Sequence, residues 1–361
     1  MLPPAGSSPA EHWVAEGRRA AARDLLRRLL VLDLVDQVLV LAAEQTDRDD
    51  LADLGGIPLI VPEGRFHFGH ILARTVEEGN YQRLAYFGGG SAPLMTTDLL
   101  LEAFDRMLTA EGPMAVVNNY HSSDWVVLNH AQSLIPLAAR LPTDNPLGWV
   151  LDHEAGFDVH ALPPSAATRN DIDTPTDILL LLHHPNIGMD LKEFLAQAPR
   201  EWLKRIDSLR KVMKTPASTL ILIGRASSHV WQTLEQVTQI WVRIFVEERG
   251  MVASGRVARG EAKSLIGEVL DMWGAQIFVE HLSSMSDAVL WDTRVWMAHR
   301  GAWPSAADRF AADLGWDDQV EDAALRELTH AINQASIPIV TGGYGVVSGG
   351  VYAMLEVIEE D

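Results

Sequence analysis

The most informative stretch of the sequence reads LAYFGGGSAPLMTTD, from Leu84 to Asp98. Its first four residues, which end at Phe87, form an apolar run typical of a buried strand, and three glycines follow. Glycines allow a ligand to approach the backbone closely, and Thr96 or Thr97 can cap a following helix. The same residues also suit a tight turn and a capped helix without a ligand. No Gly-Lys-Ser/Thr follows, which excludes a Walker loop.

Short apolar runs alternate with helical patterns along the whole chain. In the first half, strands are predicted at 38–41, 58–61, 84–87, 114–117 and 158–162, and helices at 15–32, 70–79, 96–109, 131–140 and 144–154. In the second half, strands are predicted at 219–223, 242–246, 288–291 and 337–340, and helices at 228–239, 260–272, 275–284, 321–334 and 346–357. Interleaved strands and helices are typical of mostly parallel sheets with helices on both faces. We therefore predict an α/β protein with two three-layer domains and mostly parallel sheets.

The length and the breaks in this pattern predict where the domains divide. A chain of 361 residues corresponds to about two domains at roughly 150 residues each. His184-Pro185-Asn186 ends one helical pattern, and Lys214-Thr215-Pro216 forms a second break. We predict a first domain over 1–185, a helical linker over 186–216 and a second α/β domain over 217–361.

The charge of the chain limits its partners. Its 49 acidic and 29 basic residues give a net charge of −20, and such a surface repels nucleic acid and anionic membranes. A few local arginines can still bind a small anion, because the field in a pocket depends on nearby groups. The chain has no cysteine, which excludes disulfides and thiolate metal sites. With no apolar run of about 18 residues and no signal-peptide pattern, we expect a cytoplasmic protein, and a homo-oligomer stays open.

A second informative stretch reads RNDIDTPTD, from Arg169 to Asp177. Carboxylate oxygens are natural ligands for Mg²⁺, which takes one or two protein carboxylates together with phosphate oxygens and water. The stretch therefore predicts a magnesium site that uses Asp171 and Asp173. The same acids also suit a plain helix N-terminus, because Pro175 fits the first turn and carboxylates favour the positive end of the helix dipole.

Together, the two stretches resemble the nucleotide-diphospho-sugar transferase fold, in particular the MobA-like and phospholactate-guanylyltransferase-like nucleotidyltransferases. The resemblance covers about residues 1–185 and rests on the strand, the glycine turn, Pro93-Leu94-Met95 and the later Asp-Ile-Asp-Thr-Pro-x-Asp. Such enzymes transfer a nucleotidyl group from a nucleoside triphosphate with Mg²⁺ and release pyrophosphate. The resemblance implies that Asp171 and Asp173 bind the metal and take part in catalysis. It implies that the nucleotide is bound by Gly6, Ser7, Ser8, Gly89, Gly90 and Ser91.

The chain departs from this family pattern at two places. Ser91 stands where the family has a metal-binding aspartate, and a hydroxyl is a poor substitute for a carboxylate on Mg²⁺. The glycine-rich, basic triphosphate loop of the family corresponds to residues 2–10, and the nearest basic residues of this chain fall inside the next predicted helix. For this half of the chain two functions therefore stay open: nucleotidyl transfer, and non-catalytic or regulatory ligand binding at a degenerate transferase site.

A polar loop follows the predicted strand at 114–117. Asn118 and Asn119 begin a run of hydrogen-bonding residues that ends at Trp125. Such groups can recognise a base or a sugar, so both asparagines are candidate nucleotide-binding residues. A polar surface loop is an equally good interpretation.

The predicted strands of the second half end in polar residues. Because the carboxyl ends of parallel strands meet at one edge of a sheet, we expect an anion site there. Arginine binds phosphate or carboxylate through a bidentate fork, and helix N-termini favour anions. The candidate residues are Arg225, Ser227, Ser228, Arg249, Arg256, Asp292, Arg294 and Ser348.

Two interpretations of this second set stay open. The polar residues can pair with one another across the surface, which contributes little to stability. Alternatively, the C-terminal domain is an enzyme that acts on a small anionic substrate. In each functional hypothesis the partner is a small phosphorylated or carboxylated molecule.

Overall fold

The computed structural model describes residues 1–60 and 66–360, apart from the side chain of Glu360. The chain is α/β and forms two compact units. Unit 1 contains Met1–Pro4, Arg18–Asp171 and Gly188–Asp190, and unit 2 contains Ala5–Gly17, Ile172–Ile187 and Leu191–Asp361. Residues 5–17 and 172–185, which the predicted boundary at 185 places in the first domain, thus belong to unit 2, as do residues 186–187 of the predicted linker.

Unit 1 is built from short strands and the helices that connect them. The strands are β1 (Leu39–Val40), β2 (Ile57–Pro58), β3 (Leu84–Phe87), β4 (Met114–Val117), β5 (Trp125–Leu128) and β6 (Asp158–Ala161). The helices are α1 (Pro9–Leu30, whose first residues belong to unit 2), α2 (Gln45–Asp53), α3 (Phe68–Gly79), α4 (Thr97–Thr109), α5 (Leu147–Ala155) and α6 (Ala166–Arg169). Two short 3-10 turns replace the helix predicted over 131–140. Of the strand predicted at 58–61, Val61 lies outside the described residues.

The main sheet of unit 1 is mixed, whereas the sequence predicted a mostly parallel one. Its strand order is β3-β5-β4-β6, and β5 runs antiparallel to both of its neighbours. The residues between Val117 and Trp125 are too few for the crossover of about a dozen residues that a parallel strand requires, so β5 returns beside β4. The strands β1 and β2 form a separate parallel pair.

The side chains of β4 alternate between two apolar layers of unit 1. Ala115 and Val117 pack on one face with Phe68 of α3. Val116 packs on the opposite face with Phe104 of α4. Because successive residues of a strand point to opposite faces, a continuously apolar strand is the pattern expected for a sheet covered on both sides.

Unit 2 is built around a second sheet, all of whose strands are parallel. Its strands are β7 (Thr219–Gly224), β8 (Trp241–Val246), β9 (Ala288–Asp292) and β10 (Ile339–Gly342), in the order β10-β9-β7-β8. Its helices are α7 (Pro175–Leu179), α8 (Met189–Leu195, whose first two residues belong to unit 1), α9 (Arg200–Lys214), α10 (Ser228–Val237), α11 (Leu265–Trp273), α12 (Ala275–Met285), α13 (Arg294–His299), α14 (Ala306–Leu314), α15 (Ala323–Asn333) and α16 (Gly349–Glu360). Within the described residues, no helix combines the length and the apolar character needed to cross a membrane.

Candidate functional site

The carboxyl ends of β3, β4 and β6 lie at one edge of the unit 1 sheet. This follows from the pairing, because β3 and β4 both run antiparallel to β5 and β6 runs parallel to β4. At this edge Ser91 forms an isolated antiparallel bridge with Asp171. The structure therefore brings together two residues that the sequence predicted for one site, although they are far apart along the chain.

The glycine turn after β3 packs closely on the first residues of unit 1. A Cβ atom built on Gly89 would lie 1.7 Å from the carbonyl oxygen of Met1, so no larger residue fits without displacing the backbone. Met1 donates a hydrogen bond from its nitrogen to the carbonyl oxygen of Phe87 at 3.0 Å. Leu2 forms a parallel bridge with Ala42. Gly89 is thus required here by a backbone contact within the fold.

The Ser91 side chain is used by the turn itself. Its hydroxyl donates to the carbonyl oxygen of Gly88 at 2.9 Å, and the residue is buried. Gly90 beside it is buried as well. The side chain that the resemblance aligns with a metal-binding aspartate therefore stabilises the backbone of the loop.

Tyr86, in β3, interacts electrostatically with three carboxylates. The Tyr86 hydroxyl donates to Asp144 Oδ2 at 2.7 Å. Burial raises the pKa of Tyr86, and the negative charges of Asp144, Asp171 and Asp124 raise it further. Among the described residues, no group of three or more His, Asp and Glu side chains is arranged to hold a metal ion. An ion at this edge would therefore rely on one or two carboxylates, which is the set that Mg²⁺ accepts when phosphate and water complete its shell.

Asn118 organises the loop between β4 and β5. Its side-chain oxygen accepts from the backbone of Asp124 at 2.9 Å, and its amide donates to the Asp124 carboxylate at 2.7 Å. The guanidinium of Arg169 contacts the Asn118 carbonyl oxygen. Asn119 accepts from the backbone of His121 at 3.3 Å. The predicted pair of asparagines is thus near the edge, and Asn118 positions the Asp124 carboxylate there.

Asn170 was not singled out from the sequence. Its side chain is buried, and neither its amide nitrogen nor its oxygen has a hydrogen-bond partner. A buried polar group without a partner costs about 1–3 kcal/mol. Asn170 directly precedes Asp171 in the sequence, so polar groups that the fold leaves unpaired lie one residue away from the predicted metal-binding residue. The RNDIDTPTD stretch was the signal, but burial could not be read from it.

The other residues of the first predicted site belong to unit 2. Ser7 and Ser8 donate from their backbone nitrogens to the carboxylate of Glu11 at 3.2 and 3.0 Å, and Gly6 forms the turn before them. Although partial burial opposes it, hydrogen bonding from Ser8 and Ser7 holds the pKa of Glu11 below its usual range. Ser7 and Ser8, which the resemblance implies for nucleotide binding, therefore hold a carboxylate of the same chain with their backbone N–H groups.

The Asp-Thr-Pro-Thr-Asp segment packs on the carboxyl end of β10. Thr176 donates to the Thr341 carbonyl oxygen at 2.6 Å. Asp177 caps α7 through Oδ2, which accepts from the backbones of Asp173 and Thr174 at 3.1 and 2.7 Å and from the Thr174 hydroxyl at 2.9 Å. Asp173 itself is exposed.

Asp177 is the most strongly perturbed acid of this segment. It is buried, and its Oδ1 has no hydrogen-bond partner. Burial, followed by the charge of Asp173, raises the pKa of Asp177 to about 7. A Cβ atom on Gly345 would lie 2.0 Å from Asp177 Oδ1, so the glycine leaves room for this carboxyl. The sequence predicts that Asp177 lies at a helix start, but it does not predict its burial.

The carboxyl ends of β7 and β9 flank the point where the strand order of unit 2 reverses. The chain goes from β7 to β8 on one side and then returns to β9 on the other. Arg225 follows β7 and pairs with Asp292 of β9 through Nε at 2.5 Å and a second nitrogen at 3.2 Å. The ring of Tyr344 lies 5.4 Å from the same guanidinium. Such a reversal is the usual ligand position in open α/β sheets.

The predicted anion-binding residues of unit 2 do not form one cluster. Arg294 donates from its backbone to Asp292, but its side chain forms a buried pair with Asp313 at 2.5 and 2.8 Å. Arg256 pairs with Glu248. The remaining four candidates have separate positions: Ser227 caps α10, Ser228 begins it, Arg249 is exposed and Ser348 is buried before α16. Arg225, Asp292 and Arg294 are thus the three that the structure brings together.

Comparison with models of protein families and with curated proteins finds no match for this chain.

Proposed function

We propose that unit 1 has a nucleotidyltransferase-like fold and binds a nucleoside triphosphate or a phosphorylated metabolite with Mg²⁺. The observation that carries this proposal is the convergence, at one sheet edge, of the glycine turn after β3 with the Ser91–Asp171 bridge. Open α/β sheets bind their ligands outside the carboxyl ends of the strands. The family resemblance of the sequence independently assigns a nucleotide to the same turn.

The charges at this edge support a cation in the complex. Asp124, Asp144 and Asp171 all raise the pKa of Tyr86, so their carboxylates are close enough to act on one hydroxyl. A polyphosphate alone would be repelled by this group, whereas a magnesium–phosphate complex brings positive charge to it. In the proposal Asp171 binds the metal ion and the nucleotide lies against the glycine turn after β3. Asp173 is an exposed residue of unit 2, and we do not assign it to this ion.

The proposed reaction is nucleotidyl transfer to a small anionic substrate. A phosphate or hydroxyl of the substrate attacks the α-phosphorus, and pyrophosphate leaves. Bound Mg²⁺ would neutralise phosphate charge in this step, and the protein would contribute mainly by positioning the two reactants.

Pyrophosphate release tests this function. The protein is incubated with each common nucleoside triphosphate, Mg²⁺ and a panel of phosphorylated and carboxylated acceptors, beside the variants Asp171→Asn and Asp158→Asn. Asp158 is the matched control, because it is exposed and begins β6 at the opposite edge of the same sheet. Release by the wild type and Asp158→Asn, but not by Asp171→Asn, is expected. No release with any pair of substrates would refute transfer.

A second candidate is a ligand-binding or regulatory protein that keeps the fold without catalysis. Two observations favour it: the Ser91 hydroxyl is bonded to Gly88, and Glu11 occupies the N–H groups of Ser7 and Ser8. The variant Ser91→Asp separates the candidates. If the variant gains affinity for Mg²⁺ while the wild type has none, the site is degenerate. Equal Mg²⁺ affinity in both proteins would contradict this second candidate.

A third candidate places the chemistry in unit 2, on a small anionic substrate. It is favoured by the position of Arg225, which lies beside the strand-order reversal with its guanidinium against Asp292 and Tyr344. The variant Arg225→Gln removes the charge at a partly exposed side chain. Loss of affinity for phosphorylated or carboxylated ligands, with unchanged affinity in Arg249→Gln, is expected for this candidate. Unchanged affinity in Arg225→Gln would exclude it.

A further inference from the structure

The strand β8 forms an exposed edge of the unit 2 sheet. Within the described residues it pairs with β7 and with no other strand. Its sequence is WVRIFV, and its residues Trp241, Phe245 and Val246 are 69%, 39% and 52% exposed. Native edge strands are usually protected by proline, by lysine or by a very short length, and this six-residue strand has none of these features. The edge therefore has the properties of a surface that pairs with another strand.

The hydrogen bonding between β8 and β7 shows which backbone groups of β8 point outward. Trp241 donates from its nitrogen to the Ser218 carbonyl oxygen at 2.7 Å, so the odd-numbered residues of β8 face β7. In a strand, the backbone groups of alternate residues point to the same side. The N–H and C=O groups of Val242, Ile244 and Val246 therefore point away from the sheet.

Antiparallel pairing of two copies of β8 about a two-fold axis would satisfy all of these outward groups. With Ile244 opposite Ile244 of the second copy, Val242 of each copy lies opposite Val246 of the other. Each hydrogen-bonded pair of this kind exchanges two N–H···O bonds, so the three pairs form about six bonds. At about one hydrogen bond per 100–200 Å² of interface, this corresponds to roughly 600–1,200 Å², which reaches the ~1,000 Å² expected of a specific interface.

The side chains of β8 favour the same register. Arg243 is the charged residue of the strand, and it then lies opposite Phe245 of the second copy, where a guanidinium and an aromatic ring attract each other. A shift in one direction places Arg243 opposite Arg243, and like charges directly opposite each other are destabilising. A shift in the other direction pairs Val242 with Glu248, whose left-handed backbone, with φ 49°, lies outside the strand.

We propose that unit 2 binds a second copy of this chain through β8, with the two-fold axis at Ile244 and the two four-stranded sheets joined into one. The occupant is a second copy because the outward backbone groups and the pair of Arg243 with Phe245 are complementary to the strand itself. The chain carries a net charge of −20, so two copies repel each other. The strand contains no acidic residue and adds nothing to that repulsion.

Sedimentation equilibrium of the full chain tests this proposal. Wild type is compared with Phe245→Lys, Phe245→Glu and the control Ile277→Lys, which changes a 49% exposed residue of α12. The next residue of that helix, Phe278, packs on Trp291 of β9. In the proposed register residue 245 faces Arg243 of the second copy, so lysine adds repulsion and glutamate adds attraction. Wild type, Ile277→Lys and Phe245→Glu are expected to be dimers, and Phe245→Lys a monomer, at the same micromolar concentration.

Single cysteines test the register, since the chain has no cysteine of its own. A disulfide joins residues whose Cα atoms are about 4.4–6.8 Å apart, and a hydrogen-bonded antiparallel pair has a separation of about 5.5 Å. Ile244→Cys is therefore expected to form a covalent dimer on mild oxidation, faster than Arg243→Cys or Phe245→Cys, which would pair with themselves only in the shifted registers. A monomeric wild type, a dimer that Phe245→Lys leaves intact, or faster cross-linking at residue 243 or 245 would overturn the proposal.

Discussion

The burial of Asp177 predicts a pH dependence of the stability of unit 2. In the unfolded chain an aspartate titrates near its ordinary value of 3.8, whereas burial and the charge of Asp173 raise the pKa of Asp177 to about 7 in the fold. Between these values the folded protein keeps a proton that the unfolded chain has lost. Stability therefore falls as the pH rises through this window, and the loss is complete above the folded pKa.

The size of this loss follows from the shift. At about 1.4 kcal/mol for each tenfold change in proton affinity, it amounts to about 4 kcal/mol. The variant Asp177→Asn removes the titration while keeping an oxygen for the three hydrogen bonds that Asp177 Oδ2 accepts. Most of the difference between the free energies of unfolding at about pH 4 and at about pH 8 is therefore expected to disappear in this variant.

Urea unfolding of wild type, Asp177→Asn and Asp318→Asn across this pH range checks the prediction. Asp318 is an exposed carboxyl of the same unit and serves as the control for losing one negative charge. A signal from unit 2 is followed, because the two units can unfold separately. The reasoning is refuted if wild type and Asp177→Asn show the same pH dependence, or if Asp318→Asn changes it as much.

Two further predictions concern contacts within single units. Gly89→Ala places a Cβ atom 1.7 Å from the Met1 carbonyl oxygen; we expect a loss of about 1–3 kcal/mol in stability, measured by thermal unfolding, and an unchanged midpoint would contradict the close contact. Arg294→Met leaves Asp313 buried without its partner and should cost about 3–5 kcal/mol, whereas Arg294→Met combined with Asp313→Leu should recover most of that loss. Failure of the double variant to recover, in chemical unfolding, would show that the uncompensated charge is not the cause.

Sequence patterns predicted most helices and strands, because the apolar pattern and the capping residues of an element lie within or beside the element itself. The helix predicted over 96–109 forms as α4 over Thr97–Thr109, and Thr96 caps it by accepting from Leu99 at 3.2 Å. Strand β5 (Trp125–Leu128) was not predicted, because the polar loop was predicted to extend to Trp125, which is the first residue of the strand. Helix α14, Ala306–Leu314, was missed as well.

The environment of the site residues could not be predicted in the same way. The burial of Asp177 depends on Gly345, which lies beside its Oδ1, and on the contact of the neighbouring Thr176 with β10, and both partners are far away in the sequence. Whether Ser7 and Ser8 are available to a phosphate depends on the rotamer of Glu11. The residue types identify the candidate segments, whereas tertiary packing determines which of their polar atoms already have hydrogen-bond partners.

Calorimetric titration with magnesium–nucleotide complexes tests whether unit 1 binds a nucleotide through Asp171. Wild type, Asp171→Asn and Asp158→Asn are titrated with each nucleoside triphosphate in Mg²⁺ and again in excess chelator. Wild type and Asp158→Asn are expected to bind at least one nucleotide only in Mg²⁺, and Asp171→Asn is expected to bind it at least tenfold more weakly. Absence of binding to every nucleotide, or equal affinity in Asp171→Asn, would contradict a nucleotide site at this edge of unit 1.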